Sequence, residues 1–194
     1  MSKHFNFNLF HCPICKDLFA YYQKENKYFC ARPGCENNVA PFDVIDISYQ
    51  GEGFEKALSN LCPYDFQFSR LIYSSMEGFL RSLVEPDLKV QKELSKLSGP
   101  FAFKIRGALR DWRIEQTLYF EGEEIKRESD KYFSLISKAF DSLFYGNPMF
   151  KKILLSTKGS VLIHSIGSTN QKETLLPADE YIFQLSRLRN LEDK

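Results

Sequence analysis

The sequence predicts an α+β domain with a small cysteine-rich ribbon in front of it. The chain changes character near residue 40: cysteines and turn residues dominate before it, and long periodic segments follow. Beyond that point strand and helix patterns follow one another irregularly, without the βαβα alternation of a doubly wound sheet. We therefore assign residues 1–40 to the ribbon and residues 41–194 to the α+β domain, with Val39-Ala40-Pro41 as the junction.

Composition indicates a folded protein. Hydrophobic residues make up 43% and charged residues 26% of 194 positions, which is enough apolar material for a core. Aromatic residues reach 15%, and they either deepen that core or line a pocket for a planar ligand. The net charge of +1 gives no overall attraction to nucleic acid or to an anionic membrane, although local patches stay open.

The N-terminal segment does not resemble a secretion signal. MSKHFNFNLFHC has no continuous apolar run, and no stretch of 18 apolar residues occurs elsewhere. We therefore expect no membrane association and a cytoplasmic, reducing location. Five cysteines in such a compartment favour metal binding or a reactive thiol over a disulfide framework.

Four of the cysteines have the spacing of a structural zinc site. A Cys-x-x-Cys pair is followed after fourteen residues by a Cys-x4-Cys pair, namely Cys12, Cys15, Cys30 and Cys35. Two short loops that each present two thiolates satisfy tetrahedral Zn²⁺, and the segments 18–22 and 27–29 read as strands of the ribbon between them. There are three alternatives: His11 replaces one of the four ligands, the cysteines are buried free thiols, or they form two disulfides.

The first half of the α+β domain begins with strand patterns. Residues 42–49 alternate as a strand, and Tyr64–Phe68 with Leu71–Tyr73 predict a hairpin. Ser74 or Ser75 is expected to cap a helix that runs to about Val84.

Further helices and strands follow. Pro86-Asp87 is expected to open a helix that Gly99-Pro100 ends, and residues 101–113 have helical spacing. Thr117–Phe120 reads as a strand before the turn at Glu121–Glu123.

The C-terminal third contains the clearest amphipathic helix, Ser129–Tyr145. Asn147-Pro148 starts another helix, Val161–Ile163 reads as a strand, and Pro177 opens the last helix. The apolar face of the first of these helices is predicted to consist of Tyr132, Phe133, Ile136, Ala139, Phe140, Leu143 and Phe144.

Several common catalytic signatures are absent. The chain has no glycine-rich phosphate loop and no G-x-S-x-G elbow. Cys62 lies in an apolar stretch and is interpreted as a core residue rather than a nucleophile. Nothing in the spacing supports a dyad of Cys62 with His164.

Two segments carry a family signature, LSNLCP at residues 58–63 and YSSMEGFL at residues 73–80. With the segments that follow them in order, they make the chain from about residue 42 to 191 resemble the NADAR (YbiA-like) family. The later segments are Trp112-Arg113, Gln116–Phe120, Arg127-x-Ser129-x-x-Tyr132, Asn147-Pro148, His164–Gly167, Glu173–Pro177 and Leu185-x-x-Leu188-Arg189.

The resemblance implies an α+β domain that cleaves N-glycosidic bonds to ribose, without a redox cofactor. The substrate would be a nucleotide or an ADP-ribosylated nucleobase, and the ribbon slightly favours one in nucleic acid. Two departures keep a non-catalytic module open, one that binds nucleic acid, ADP-ribose or a protein. Val84 stands where relatives have a lysine, and residues 164–170 lack the family's acidic residues and Trp-Gly pair.

Glu77 is the catalytic residue that the resemblance implies. Cleavage of a ribosyl bond passes through an oxocarbenium-like state, which a carboxylate beside C1′ stabilises while it activates water. The alternative is a capping box in which Glu77 binds the backbone amide of Ser74.

Five further residues are substrate-binding candidates, each with a structural alternative. Ser59 and Asn60 would hold ribose or phosphate, or form a plain turn. Trp112 would stack on a base, or belong to the core. His164 would contact the leaving base, or be a core histidine. Arg127 would bind phosphate, or pair with an acid at residues 123–124.

Overall fold

The computed structural model describes residues 19–22, 27–30, 35 and 43–191. Strand β1 (Phe19–Tyr22) pairs antiparallel with β2 (Lys27–Cys30), in agreement with the two predicted ribbon strands. Cys12, Cys15 and His11 lie outside the described residues, as does the predicted junction at residues 39–41. The zinc site therefore stays a prediction.

The rest of the described chain consists of short strands and helices that follow one another in irregular order. In chain order these are β3 (Val44–Asp46), α1 (Gly53–Ala57), β4 (Phe66–Phe68), β5 (Leu71–Tyr73), α2 (Met76–Ser82), α3 (Leu88–Ser95), α4 (Gly99–Lys104), a 3-10 helix (Ile105–Ala108), β6 (Thr117–Phe120), β7 (Glu123–Lys126), α5 (Asp130–Gly146), α6 (Pro148–Leu155), β8 (Val161–Ile163) and α7 (Ala178–Asn190).

The strands of this part pair two by two. β4 with β5 and β6 with β7 form antiparallel hairpins, as predicted for the first of them. β3 and β8 lie parallel, with Val44 opposite Val161 and Asp46 opposite Ile163. This pairing joins the two ends of the domain, and it places the loops after both strands side by side.

Two predicted helix boundaries are wrong. Gly99-Pro100 does not end a helix but begins α4, because a proline in the first turn lacks only an amide hydrogen that has no partner there anyway. The predicted helix over residues 101–113 stops earlier. Its α-helical part ends at Lys104, a 3-10 turn follows, and Leu109 is extended, so Trp112 lies in a turn.

Helix α5 is the centre of the core. It packs against β4, β7, α6 and α7, and its predicted apolar face is buried except for Phe133. Phe133 instead lies on the surface, 5.7 Å from the ring of Phe183 on α7. A helix in contact with elements on several sides needs more than one buried stripe, and Leu135 supplies the additional contact.

None of the helices in the described ranges is both long and apolar enough to cross a lipid bilayer.

Candidate active site

A cavity of about 530 Å³ opens between α2, α4, α7 and the loops after β3 and β8. We call it the Glu77 cavity. Four predicted site residues lie in its wall, Ser59, Asn60, Glu77 and His164. The rest of the wall comprises Ser48, Tyr49, Gln50, Leu61, Leu80, Arg81, Pro100, Phe103, Ile166, Gly167, Ser168, Thr174, Leu175, Leu176 and Tyr181.

Glu77 lies in the first turn of α2, but it does not form the capping box. Ser75 is the N-cap: its Oγ accepts a hydrogen bond from the Gly78 amide at 3.0 Å. The Ser74 amide donates to the Ser95 carbonyl at 2.8 Å, so it does not need a side-chain partner. The Glu77 carboxylate is thereby available for another role, and the residue is only 6% exposed.

The partner of Glu77 is Arg81, one turn further along α2. Arg81 donates from Nε at 2.8 Å and from Nη2 at 2.6 Å, and both bonds end on Glu77 Oε1. Within the described part of the chain Oε2 receives no hydrogen bond. A buried carboxylate needs such a partner to stay charged, and spacing i, i+4 on a helix provides one. Arg81 was not among the predicted site residues, although its i, i+4 spacing from Glu77 can be read from the sequence.

The segment that carries Ser59 and Asn60 is fixed through its backbone. Ser59 Oγ accepts from the Leu61 amide at 3.3 Å, which is the turn considered as its alternative role. The Asn60 carbonyl accepts from the Glu77 amide at 3.1 Å and so ties this segment to α2. The Asn60 side chain has no hydrogen-bond partner among the described residues, which leaves its amide available to the cavity.

Gly99 explains how this segment packs against the start of α4. A Cβ at Gly99 would lie 2.3 Å from both Cα and the carbonyl oxygen of Leu61. Only glycine permits this backbone contact.

His164 follows β8 and is held in one orientation. Its Nδ1 lies 2.6 Å from the Ile47 carbonyl oxygen. Because a carbonyl oxygen only accepts, Nδ1 carries the hydrogen and Nε2 is the nitrogen that remains for a ligand. The ring also packs edge-on to Tyr181 at 5.4 Å, and burial raises the pKa of the Tyr181 hydroxyl.

Asp46 and Gly167, which the sequence did not single out as site residues, shape the loop around His164. Asp46 accepts hydrogen bonds from the amide of Ser165, at 2.9 Å, and from its hydroxyl. A Cβ at Gly167 would lie 2.4 Å from Cδ2 and 2.9 Å from Nε2 of His164. The parallel pairing of β3 with β8 brings Asp46 there, and this contact has no local signal in the sequence.

Trp112 lies in the wall of a second cavity of about 440 Å³, which we call the Arg106 cavity. The indole is only 5% exposed and belongs to the core, which is the role considered as the alternative to stacking on a base. Val84, where the NADAR resemblance leads us to expect a lysine, is 1% exposed in the same wall. The two cavities adjoin, because both are lined by Arg81, Phe103, Thr174 and Leu175.

Arg127 lies outside both cavities, and it does not pair with the acids at residues 123–124. Its Nη2 contacts both carboxylate oxygens of Glu180 at 3.0 Å, its guanidinium lies 4.5 Å from the Tyr132 ring, and it is 2% exposed. A phosphate cannot reach a guanidinium buried in this way. Arg127 instead holds the segment that lines the cavities, since its Nε donates to the Thr174 carbonyl at 3.4 Å.

Cys62 is a core residue, as the sequence indicated. Its Sγ donates to the Lys56 carbonyl at 2.9 Å, and burial raises the pKa of the thiol. His164 is bound elsewhere, so these two residues form no dyad. Among the residues that the structure describes, no cluster of three or more His, Cys, Asp or Glu side chains is placed to hold a metal ion.

Comparison with known proteins places the chain in a family. A family model described as Bacteriophage protein GP30.3 matches residues 54–190. The chain belongs to this family. A relative from Enterobacteria phage T4, the uncharacterized 17.1 kDa protein in the Gp30-rIII intergenic region, is 30% identical over 135 residues. That alignment covers 69% of this chain and 89% of the phage T4 protein.

The fold of this GP30.3 family member resembles that of the E. coli protein YbiA. The NMR structure of YbiA superposes with a TM-score of 0.52 at 14% identity, over 80% of this chain and 88% of YbiA. The expected NADAR-like, YbiA-like α+β domain is therefore confirmed at the level of the fold.

Proposed function

We propose that this protein hydrolyses the N-glycosidic bond of an N-ribosyl or ADP-ribosyl nucleobase. The proposal rests on one observation: Glu77, Asn60 and His164 line the same cavity. Glu77 contributes a buried carboxylate whose Oε1 is held by Arg81. His164 contributes Nε2, because the Ile47 carbonyl occupies its Nδ1. A carboxylate and an imidazole can serve as the general base and the general acid when water displaces a nucleobase.

In the proposed reaction the bond from C1′ to the base nitrogen breaks while a water oxygen bonds to C1′. Glu77 stabilises the positive charge that develops at C1′ and takes a proton from the attacking water through Oε2. His164 takes up a proton from solvent on Nε2, while Nδ1 stays on the Ile47 carbonyl, and gives that proton to the departing base nitrogen. The products are ribose with a hydroxyl at C1′ and the free base, and solvent restores both side chains.

Asn60 would position the substrate and Arg81 would position Glu77, and neither residue would transfer a proton. The Asn60 amide has both a donor and an acceptor, which suits two neighbouring ribose hydroxyls. Arg81 would hold Glu77 Oε1 through two hydrogen bonds and so fix the rotamer of the carboxylate, so that Oε2 is directed to the substrate. Arg81 would therefore be a positioning residue.

A second candidate function is supported by Val84. The NADAR resemblance implies a lysine at this position, whereas the valine side chain is buried and offers no amine. If the reaction depends on that amine, the chain would bind a ribosylated ligand without cleaving it. The ligand would then be the same nucleotide, or a nucleic acid that carries it.

Base release tests the proposal. The purified protein is incubated with ADP-ribosylated guanine in DNA and with ribosylamino-pyrimidine phosphates, and free base is quantified. We expect turnover by the wild type and a loss of about a hundredfold to ten-thousandfold in Glu77→Gln.

Glu93→Gln is the matched control, because Glu93 is an exposed carboxylate on α3 that pairs with Lys96 at 2.7 Å. Its turnover should equal that of the wild type. Equal turnover in wild type and Glu77→Gln would remove Glu77 from the mechanism. Tight binding without turnover, with turnover gained in Val84→Lys, would favour the binding function.

A further inference from the structure

The Arg106 cavity is lined by four arginines and continues from the Glu77 cavity. The arginines are Arg81, Arg106, Arg110 and Arg113. A cavity rich in guanidinium groups beside a candidate ribosidase site suggests that it binds an anionic part of the substrate.

Three of these arginines are already paired with carboxylates. Arg81 binds Glu77, as described above. Arg110 Nη1 binds Glu115 at 2.9 Å, and Arg113 Nε binds Asp111 at 2.7 Å. Their charges are largely compensated, so the number of arginines alone does not make this an anion site.

Arg106 differs from the other three. It has no carboxylate partner within the described residues, and the one hydrogen bond of its guanidinium runs from Nη1 to the Phe103 carbonyl at 3.0 Å. The guanidinium lies 3.7 Å from the centroid of the Phe103 ring. Stacking on a ring orders a guanidinium while Nε and Nη2 keep their hydrogens for another acceptor.

The location of Phe103 decides where that acceptor would lie. Phe103 is 41% exposed and lines both cavities, whereas Arg106 lines only the Arg106 cavity, so the stacked guanidinium lies on that side of the boundary between them. A group attached to a ribose in the Glu77 cavity would come next to this guanidinium. Two parallel N–H donors match two oxygens of a phosphate.

We propose that Arg106, stacked on Phe103, binds a phosphate group attached to the ribose of the substrate. The inference rests on the proposed function for the identity of that ribose. The same chemistry has two sources: the diphosphate of an ADP-ribosyl group, or the phosphodiester of a nucleic acid strand.

The test uses the full chain and the variant Arg106→Gln. The matched control is Arg70→Gln, because the Arg70 side chain is 92% exposed, lies 4.0 Å from Glu121 and lines neither of the two cavities. Binding of ADP-ribose, of a short single-stranded oligonucleotide and of unphosphorylated ribose is measured by titration calorimetry. Direct binding is chosen because it does not depend on turnover.

We expect Arg106→Gln to weaken binding of a phosphate-bearing ligand about tenfold, and Arg70→Gln to leave it unchanged. A selective loss for ADP-ribose assigns the diphosphate, and a selective loss for the oligonucleotide assigns the phosphodiester. Equal losses in the two variants, or no loss in Arg106→Gln, would overturn the inference. Arg106-dependent binding without any base release would leave the inference standing and refute the proposed hydrolysis.

Discussion

Arg81 directs both of its hydrogen bonds to a single oxygen of Glu77, at 2.8 Å and 2.6 Å. The second carboxylate oxygen is thereby left to the cavity. The side chains are 17% and 8% exposed, so the pair is mostly shielded from water. Such a pair holds a charge in place at a site where an isolated carboxylate would be costly.

Removal of Arg81 should therefore destabilise the protein. We expect Arg81→Met to lower the free energy of unfolding by about 3 kcal/mol, because Glu77 would remain buried without its partner. The measurement is urea denaturation followed by circular dichroism. The double variant with Glu77→Gln should recover part of the loss, since no unpaired charge remains.

Lys96→Met is the control for this experiment, because Lys96 and Glu93 form an exposed pair on α3. That variant should change stability by less than about 0.5 kcal/mol. If Arg81→Met is as stable as this control, the pair does not hold Glu77.

A side chain at Gly167 should force a local rearrangement, because the His164 ring lies against this residue. A methyl group there would overlap Cδ2 and Nε2, so we expect Gly167→Ala to turn the ring or move the loop, at a cost of about 1–3 kcal/mol. The NMR signals of His164 report the change in ring or loop position, and the thermal midpoint reports the loss of stability.

Gly146→Ala provides the comparison, since a Cβ at Gly146 meets nothing within 4 Å. This exchange should be neutral or slightly stabilising, because alanine restricts the unfolded chain. An unchanged His164 environment in Gly167→Ala would show that the contact is not needed.

Cys62 should be unreactive in the native protein. Burial raises the pKa of its thiol, so at pH 9 a smaller fraction of Cys62 is thiolate in the native protein than in the unfolded chain. We expect iodoacetamide at pH 9 to modify Cys62 far more slowly in buffer than in urea, as followed by peptide mass mapping. Similar rates in the two conditions would contradict the buried position.

The zinc prediction rests on the spacing of the four cysteines and is tested by removing one ligand. Freshly purified, reduced protein should contain about one zinc per chain, and Cys30→Ser should lose it and loosen the first forty residues. Cys62→Ser should retain the metal, because Cys62 binds the Lys56 carbonyl inside the domain. Elemental analysis that finds no metal in the wild type would refute the site.

The sequence by itself determined those features that depend on neighbours along the chain. Examples are the hairpin of Phe66–Phe68 with Leu71–Tyr73, a helix cap at Ser74 or Ser75, of which the structure uses Ser75, and most of the buried face of α5. Alternation, capping residues and helical period act over a few residues, so their patterns can be read directly. The family resemblance added Glu77, Asn60 and His164 as site residues, but it did not give the hydrogen bonds that hold them in the cavity wall.

Tertiary structure decided those polar contacts whose partners are far apart in the sequence. The Ser74 amide is satisfied by Ser95, which releases Glu77 from the capping box. Arg127 pairs with Glu180, 53 residues away, and so is lost as a phosphate ligand. These partners become neighbours only when helices and strands pack, and burial then requires each donor and each charge to find an acceptor within reach.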